Sequence, residues 1–580
     1  MHRRALARVA TMRAKLLFFG FLAIAGYLTW RLIDVQIRQG PVLAKAALAQ
    51  RSDTVDLFAR RGSILDRDGH ILVRSLPSQS IYAVPHDIDH PDRVAAGLER
   101  VVGKLSPSVI ADLHDRHLWF VWIARKVPHA WAKAVKALHL PGVQLEEEQT
   151  GRRYDAVGTL ASPIIGFVGT NEQGLDGLEY AYNGWLRGHP GKETLETDVF
   201  GRPIPFGKRT IIKPARSGYS IELTIDSYLQ FVAEQALGAQ VKRYHASSGT
   251  AIVMNPRTGA VLAMASLPDF NPNRFWKYSA FDWRDRAVED AYEPGSTYKL
   301  VMAAGALQSG KVTPQSRFPA RNSITVGGRT LYNAEDGLAA KGATETLETI
   351  IADSLNVGAA EVGMSIGART FYTMEMKAGF GKPTHIGLPG ENPGIVPPPS
   401  QWSGSSLATM SFGQGVAVTP LALARYYCAI ANGGLLLRPR IVRAVLNQKG
   451  KVVYMYPTEI ERRIFSPKTA RELLTFLRAV VTRGTGDPTA QIPGYKTAGK
   501  TGTAQVAVNG VYQRGLYIAS FIGMVPYPRV RYVILVKVDH PVGSYYGTTV
   551  AAPAFSKIAL AAMLRDEARP RPSSSPSAAP

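Results

Sequence analysis

Gly494-Tyr495-Lys496-Thr497-Ala498-Gly499-Lys500-Thr501-Gly502-Thr503-Ala504-Gln505-Val506-Ala507-Val508 can be read in two ways, and the choice decides the fold. Its opening, through Thr501, satisfies G-x-x-x-x-G-K-[ST], the phosphate-binding loop. Val533-Ile534-Leu535-Val536-Lys537-Val538-Asp539 even imitates the apolar strand whose terminal acid would hold magnesium. A phosphate loop must follow a buried strand and run into a helix. Here Pro488 and Pro493 break the preceding segment, and 503–508 is β-rich before the turn Asn509-Gly510. The stretch therefore reads as a strand. Gly502 lets another backbone lie close, and Lys500, Thr501 and Thr503 offer a cation and hydroxyls to a carboxylate.

Working outward, strands near 517–525 and 532–538 follow, and a helix over 550–564 closes the region. Upstream, 249–255, the turn Pro256-Arg257-Thr258-Gly259 and 260–266 make a β-hairpin, entered through a strand near 220–225 and a helix over 226–241. Helix-period segments dominate from 296 to about 481. Hairpin, helical block, strands and helix imply an α+β domain over 211–567, with an antiparallel sheet packed on helices. Before it, 34–210 reads as a separate domain. Arg61-Gly62-Ser63-Ile64-Leu65-Asp66-Arg67-Asp68-Gly69 is a strand broken by an Asp-Gly turn, followed by Ile71-Leu72-Val73. Segments around 93–103 and 128–138 read as amphipathic helices, and 151 to about 205 as loop-rich, with many glycines. The tail, 568–580, ends in a Pro/Ser/Ala run read as disordered.

At 580 residues, with 46% apolar and 19% charged residues, the chain is globular and holds several domains. Its lone cysteine, Cys428, excludes an internal disulfide and sits in an apolar helical run as core. Arg3, Arg4, Arg8, Arg13 and Lys15, within a tail of 1–15, precede an uncharged run that begins at Leu16. With Arg31 snorkelling, 16–33 gives a helix of about 27 Å, close to a hydrocarbon core. Ala23-Ile24-Ala25 resembles a signal-peptide cleavage site, but the apolar run continues past it, favouring a retained anchor. The basic flank places the N-terminus in the cytoplasm and the bulk of the chain outside a plasma membrane. The net charge of +23 suits an anionic surround. Nucleic acid is not expected, since there is no dense basic run or recognisable module and export removes the target.

Chemistry concentrates in Glu293-Pro294-Gly295-Ser296-Thr297-Tyr298-Lys299. Ser296 and Lys299, three apart at a helix start, share a face, so hydroxyl and amine are expected to meet. A lysine serves as base only when burial or a nearby cation lowers its pKa. An isolated S-x-x-K is usually a helix cap beside a solvated lysine, and Ser354-Leu355-Asn356 alone would be ordinary inter-helix sequence. Together with Lys500-Thr501-Gly502, in this order, they form the S-x-x-K, S-x-N, K-T-G set of serine acyltransferases that recognise penicillin. His86, Asp87, Asp89, His90 and Asp92 read as a solvated loop beside Pro85 and Pro91 rather than a metal site.

On these motifs the chain resembles the class B penicillin-binding proteins, monofunctional peptidoglycan D,D-transpeptidases. Arg61–Gly69 resembles the family's R-G-x-I-x-D-R-N-G box, with Asp68 where Asn is usual. Arg153-Tyr154 and Gly158 resemble its R-x-Y-P-x-G element, with Asp155 in place of proline. Gly174-Leu175-Asp176-Gly177-Leu178-Glu179, Gly413-Gln414-Gly415 with Thr419-Pro420-Leu421, and Tyr545-Tyr546-Gly547 with Ala552-Pro553 also match. Glu293, Ser411-Phe412-Gly413 and Tyr546-Gly547 look more like the septal than the elongation branch. The resemblance implies a β-rich pedestal over 34–210 and a serine β-lactamase-like domain after it. It also implies catalysis by Ser296, Lys299, Ser354, Asn356 and Lys500. Thr501, Gly502 and Thr503 would bind the terminal carboxylate of a D-Ala-D-Ala stem peptide, and the backbone N–H groups of Ser296 and Thr503 would form the oxyanion hole. No metal or organic cofactor is implied. The implied partners are stem peptides, β-lactams, a membrane glycosyltransferase of the shape/division type and other division proteins. A β-lactam sensor and a P-loop NTPase are the competing readings.

Overall fold

A computed structural model describes residues 2–197, 204, 207–333, 343–486, 488–508 and 510–568. The expected tail disorder and the Asn509 half of the Asn-Gly turn lie outside the described residues. The chain forms two compact units, one of Met1–Ala59 with Gly188–Arg216, the other of Arg60–Arg187 with Ser217–Pro580.

In the first unit, a helix over His2–Ile33 runs through a π-helical turn, Asp34–Arg38, into a second helix, Gly40–Arg51. The segment Arg8–Arg38 is long and apolar enough to cross a membrane. This is longer than the 16–33 stretch read from the sequence, because an exposed helix need not stop where the apolar run does. Arg31 pairs with Asp34 at 3.0 Å, at the end of the apolar stretch. Strands Ser52–Leu57, Gly191–Glu196 and Arg209–Lys213 form a three-stranded antiparallel sheet.

The second unit is built on a five-stranded antiparallel sheet. Its order across the sheet is Val261–Leu267, Ser248–Met254, Tyr532–Asp539, Val511–Val525, Ala498–Val508. Alternate residues of its central strands enter opposite cores. Ile252, Met254, Val533 and Leu535 join the helical block that includes Lys299–Gln308 and Pro420–Ala431. Ala251, Val253, Ile534 and Val536 pack on the Ser227–Arg243 and Ala552–Glu567 side. Covering on both faces explains why Tyr532–Asp539 is buried at every position and shows no apolar–polar alternation. The anticipated strand over 503–508 is thus real and longer, and it runs into a hairpin rather than a helix.

A seven-stranded sheet in the same unit joins segments far apart in the sequence, from Ile64 to Met455. Strand Ser220–Leu223 pairs in parallel with Ile64–Leu65 on one side and antiparallel with Val442–Leu446 on the other. Ile71–Ala83 carries both Val121–Val127 and Val143–Asp155. Helices Pro91–Val102 and His129–Ala137 lie where their periodicity placed them.

The stretch 151–205 is loop-rich, but it also holds the end of strand Val143–Asp155, strand Gly191–Glu196 and short helices over Gly177–Ala181 and Asn183–Leu186. The run Glu146-Glu147-Glu148 hid the first strand, which is held by ladder hydrogen bonds to Ile71–Ala83. Helices dominate the block 296–481 as expected, with short strands between them. A hairpin of Ser323–Val326 and Arg329–Tyr332, turning at Gly327-Gly328, interrupts it, as do Leu435–Leu437 and Val442–Leu446.

Candidate active site

Ser296 sits in a short 3-10 turn, Gly295–Tyr298, that leads into helix Lys299–Gln308. Gly295 adopts a φ of +54°, and a side chain there would meet the Thr503 carbonyl at 2.8 Å. Gly413 (φ +84°) packs still closer, its missing Cβ falling 2.2 Å from the Gly295 carbonyl. The turn is therefore clamped between two backbones, and Ser296 is left half-buried on the wall of a cleft of about 680 Å³.

Lys299 is wholly buried. Its amine does not hydrogen-bond the Ser296 hydroxyl, as the helix-face argument expected; it donates to the Ser354 carbonyl at 2.5 Å, Asn356 Oδ1 at 2.8 Å and Ser354 Oγ at 3.3 Å. The amine turns to these oxygens because a buried donor cannot be left unpaired. Ser354 is held at φ +61°, a left-handed conformation a serine seldom adopts and one that persists only where the surroundings fix it. That bend presents both its carbonyl and its hydroxyl to Lys299.

Lys500, also wholly buried, reaches the same hydroxyl from the opposite wall. Its Nζ donates to Ser354 Oγ at 2.8 Å and to the Thr501 carbonyl and hydroxyl at 3.3 Å. Burial, and then the Lys500 cation, hold Lys299 well below the usual lysine range. Burial pushes Lys500 down to about 7, against the pull of Asp353. Ser354 Oγ thus bridges two desolvated amines beside a half-buried serine, an arrangement suited to moving a proton rather than to holding fixed charge.

The strand Ala498–Val508 brings the remaining expected residues. Thr501 and Thr503 line the cleft, and Gly502 lies between them with no room for a side chain: a Cβ would come within 2.3 Å of Ser520 Oγ and 2.9 Å of Thr297 Cγ2. All eight residues expected from sequence (Ser296, Lys299, Ser354, Asn356, Lys500, Thr501, Gly502 and Thr503) therefore converge on one cleft.

Others the sequence reading did not assign also line it. Thr485, after helix Pro467–Arg483, shares a hydrogen bond of 2.9 Å with Thr501 Oγ1, and its N–H donates to the Ala352 carbonyl at 3.1 Å. Tyr517 stacks on Tyr545 at 4.2 Å, with Tyr546 beside it. Arg329 comes from the hairpin missed above, and its only sequence signal is the Gly327-Gly328 turn. Among the described residues no group of histidine, cysteine or acidic side chains could hold a metal ion. Cys428 is buried, and burial pushes its thiol far up, so it is core as read.

Residues 249–560 match the penicillin-binding protein transpeptidase domain, and 56–223 the penicillin-binding protein dimerisation domain. The chain is 32% identical to the peptidoglycan D,D-transpeptidase FtsI of Escherichia coli K12 over 565 residues, 95% of this chain and 91% of that protein. It is also 32% identical to stage V sporulation protein D of Bacillus subtilis over 559 residues, 94% of this chain and 85% of that one. Among solved structures, penicillin-binding protein 3 of Mycobacterium tuberculosis, complexed with aztreonam, superposes with a TM-score of 0.68 at 29% identity. That match covers 89% of this chain and 98% of the other.

Proposed function

The chain belongs to the class B penicillin-binding proteins, the peptidoglycan D,D-transpeptidases, and from that premise we propose that Ser296 is its nucleophile and that it works at the division septum. The observation that carries the first part is the meeting of Lys299 and Lys500 at Ser354 Oγ, both amines desolvated, on the floor of the cleft that Ser296 faces.

In this mechanism Ser296 Oγ attacks the carbonyl of the penultimate D-Ala of a stem peptide. Lys299 takes the proton, and the developing oxyanion is met by the backbone N–H groups of Ser296 and Thr503. Collapse expels D-Ala, whose amine takes a proton relayed through Ser354, and leaves an ester on Ser296. An amine of a neighbouring stem then attacks that ester, forming the cross-link and freeing the serine. Asn356 holds the peptide amide, and Lys500, Thr501 and Thr503 receive the terminal carboxylate. The edge strand Ala498–Val508 offers its backbone to the peptide, and Gly502 lets that strand pack closely on Ser520 and Thr297. A β-lactam, which copies the D-Ala-D-Ala end, esterifies the same serine.

The septal assignment is supported by Glu293, Ser411-Phe412-Gly413 and Tyr546-Gly547, together with the similarity to FtsI. It includes a membrane glycosyltransferase of the shape/division type and other division proteins as partners. The basic residues before the apolar helix support a cytoplasmic N-terminus. The order of a pedestal domain followed by a transpeptidase domain is supported by the two matched family models, over 56–223 and 249–560.

The test uses full-length protein in detergent with uncross-linked glycan strands bearing pentapeptide stems. Penicillin-sensitive release of D-Ala together with cross-linked dimers is expected. Acylation without cross-links would instead identify a sensor. Depletion in the source cell is expected to give filaments, whereas rounded cells would overturn the septal assignment.

A further inference from the structure

Glu293 stands immediately before the Pro294-Gly295-Ser296 turn, yet neither acyl transfer nor carboxylate binding employs it. Its Oε1 accepts the Gly415 N–H at 2.9 Å, and the Tyr512 hydroxyl donates across both carboxylate oxygens at 3.1 and 3.0 Å. Tyr512 lies opposite Ala507 on the hairpin, beyond the register shift between Gln505 and Ala507. A bulge there re-aims the arm, which brings Tyr512 to Glu293 at the nucleophile turn. The Arg329 guanidinium covers the Tyr512 ring at 5.8 Å. Arg329 belongs to the strand whose Tyr332 carbonyl accepts from Asn356 Nδ2 at 3.2 Å. One half-buried carboxylate therefore ties the Ser296 turn to the 413–415 loop and to the Lys500 hairpin, with Arg329 extending the contact to the hairpin beside Asn356.

We propose that Glu293 and Tyr512 are a positioning pair that fixes the Ser296 turn against the 498–525 hairpin, with Arg329 seating the Tyr512 ring. The inference rests on Ser296 being the nucleophile. The pair touches neither lysine and acts by geometry alone. A displacement of about 1 Å can cost on the order of 100-fold in rate, and a loosened turn still held by Gly413 loses less, about tenfold.

Stopped-flow acylation of the full-length protein by a fluorescent penicillin separates the non-covalent dissociation constant from the acylation rate constant. Glu293→Ala and Tyr512→Phe are each expected to lower the rate constant about tenfold, with the dissociation constant and the pH midpoint unmoved. The double variant should be no slower than the slower single, because both remove one link. Glu293→Gln, whose carbonyl still accepts, should recover most of the rate. Unchanged rate constants, multiplying losses in the double variant, or an effect on the dissociation constant or pH midpoint would overturn the proposal. Tyr512→Phe keeps the ring and carries the test alone if Glu293→Ala does not fold. A wild-type protein that forms no adduct refutes the underlying reading of Ser296, whereas equal acylation of wild type and variants refutes the pair only.

Discussion

Lysine 500 illustrates how far a single residue can be read from sequence. Its motif was legible, as was the need for a depressed amine nearby, because an amine base must be neutral. What was not legible is the route of the proton: the amines meet at Ser354, through a left-handed bend that no spacing rule reports. The depressed lysines fix the sign of the pH dependence. Only a neutral Lys299 takes the serine proton, and burial with the Lys500 cation holds it well below the usual lysine range, so the acylation rate constant should rise with pH at values well below that range. A rate constant that falls with rising pH there would contradict the assignment. The depression of Lys500 to about 7 has a stability consequence. An unfolded lysine holds its proton up to about 10.4, so between about 7 and that value the unfolded chain binds more protons than the native one. Native stability should therefore be lowest near and below pH 7 and recover toward pH 10 as this cost vanishes. Lys500→Met removes the buried amine and should raise Tm by a few degrees at pH 7, less at pH 10, while abolishing acylation.

At the scale of elements, strands with long β-branched runs and helices with clear periods were legible, including the hairpin 248–267 and the helix opened by Asp226. Asp226 accepts from the N–H groups of Tyr228 and Leu229 as an N-cap. Elements whose order comes from partners far along the chain were not. Val143–Asp155 is a strand only because Ile71–Ala83 lies beside it, and Ser323–Tyr332 is a short hairpin marked by two glycines. Such partners have no local signature. The close backbone contacts predict a sharp effect. Gly413→Ala adds a methyl 2.2 Å from the Gly295 carbonyl at a φ of +84°, so the turn must shift. We expect a loss of about 1–3 kcal/mol in unfolding free energy and at least a tenfold slower acylation, measured by denaturant titration and penicillin labelling. Retention of both would show that the turn tolerates movement.

For the whole molecule, the motifs that resembled the family before Gly188 prove to be one buried electrostatic assembly. Arg61 and Arg153 each reach Glu179 at 2.6 Å, Arg61 also donates to the Glu172 carbonyl at 2.9 Å, and Lys126 pairs with Glu172 at 2.8 Å. Separate sequence boxes at 61, 153 and 179 are thus parts of a single site, which the sequence could list but not assemble. Asp155, standing where the family has proline, is buried and pushed up to about 7 by desolvation. Glu179→Ala strands two buried guanidinium groups and should cost about 3–5 kcal/mol, read as a lowered Tm of the full-length protein. A change of under about 0.5 kcal/mol would mean that the arginines find other partners.

The central claim, that Ser296 is the acylated nucleophile, is most directly tested by intact-mass measurement of the full-length protein after incubation with benzylpenicillin, alongside Ser296→Ala. One added penicillin mass in the wild type, mapped by peptide digestion to Ser296 and absent from the variant, is the predicted result. An unmodified wild type that is demonstrably folded, or an adduct that persists in Ser296→Ala, would contradict it.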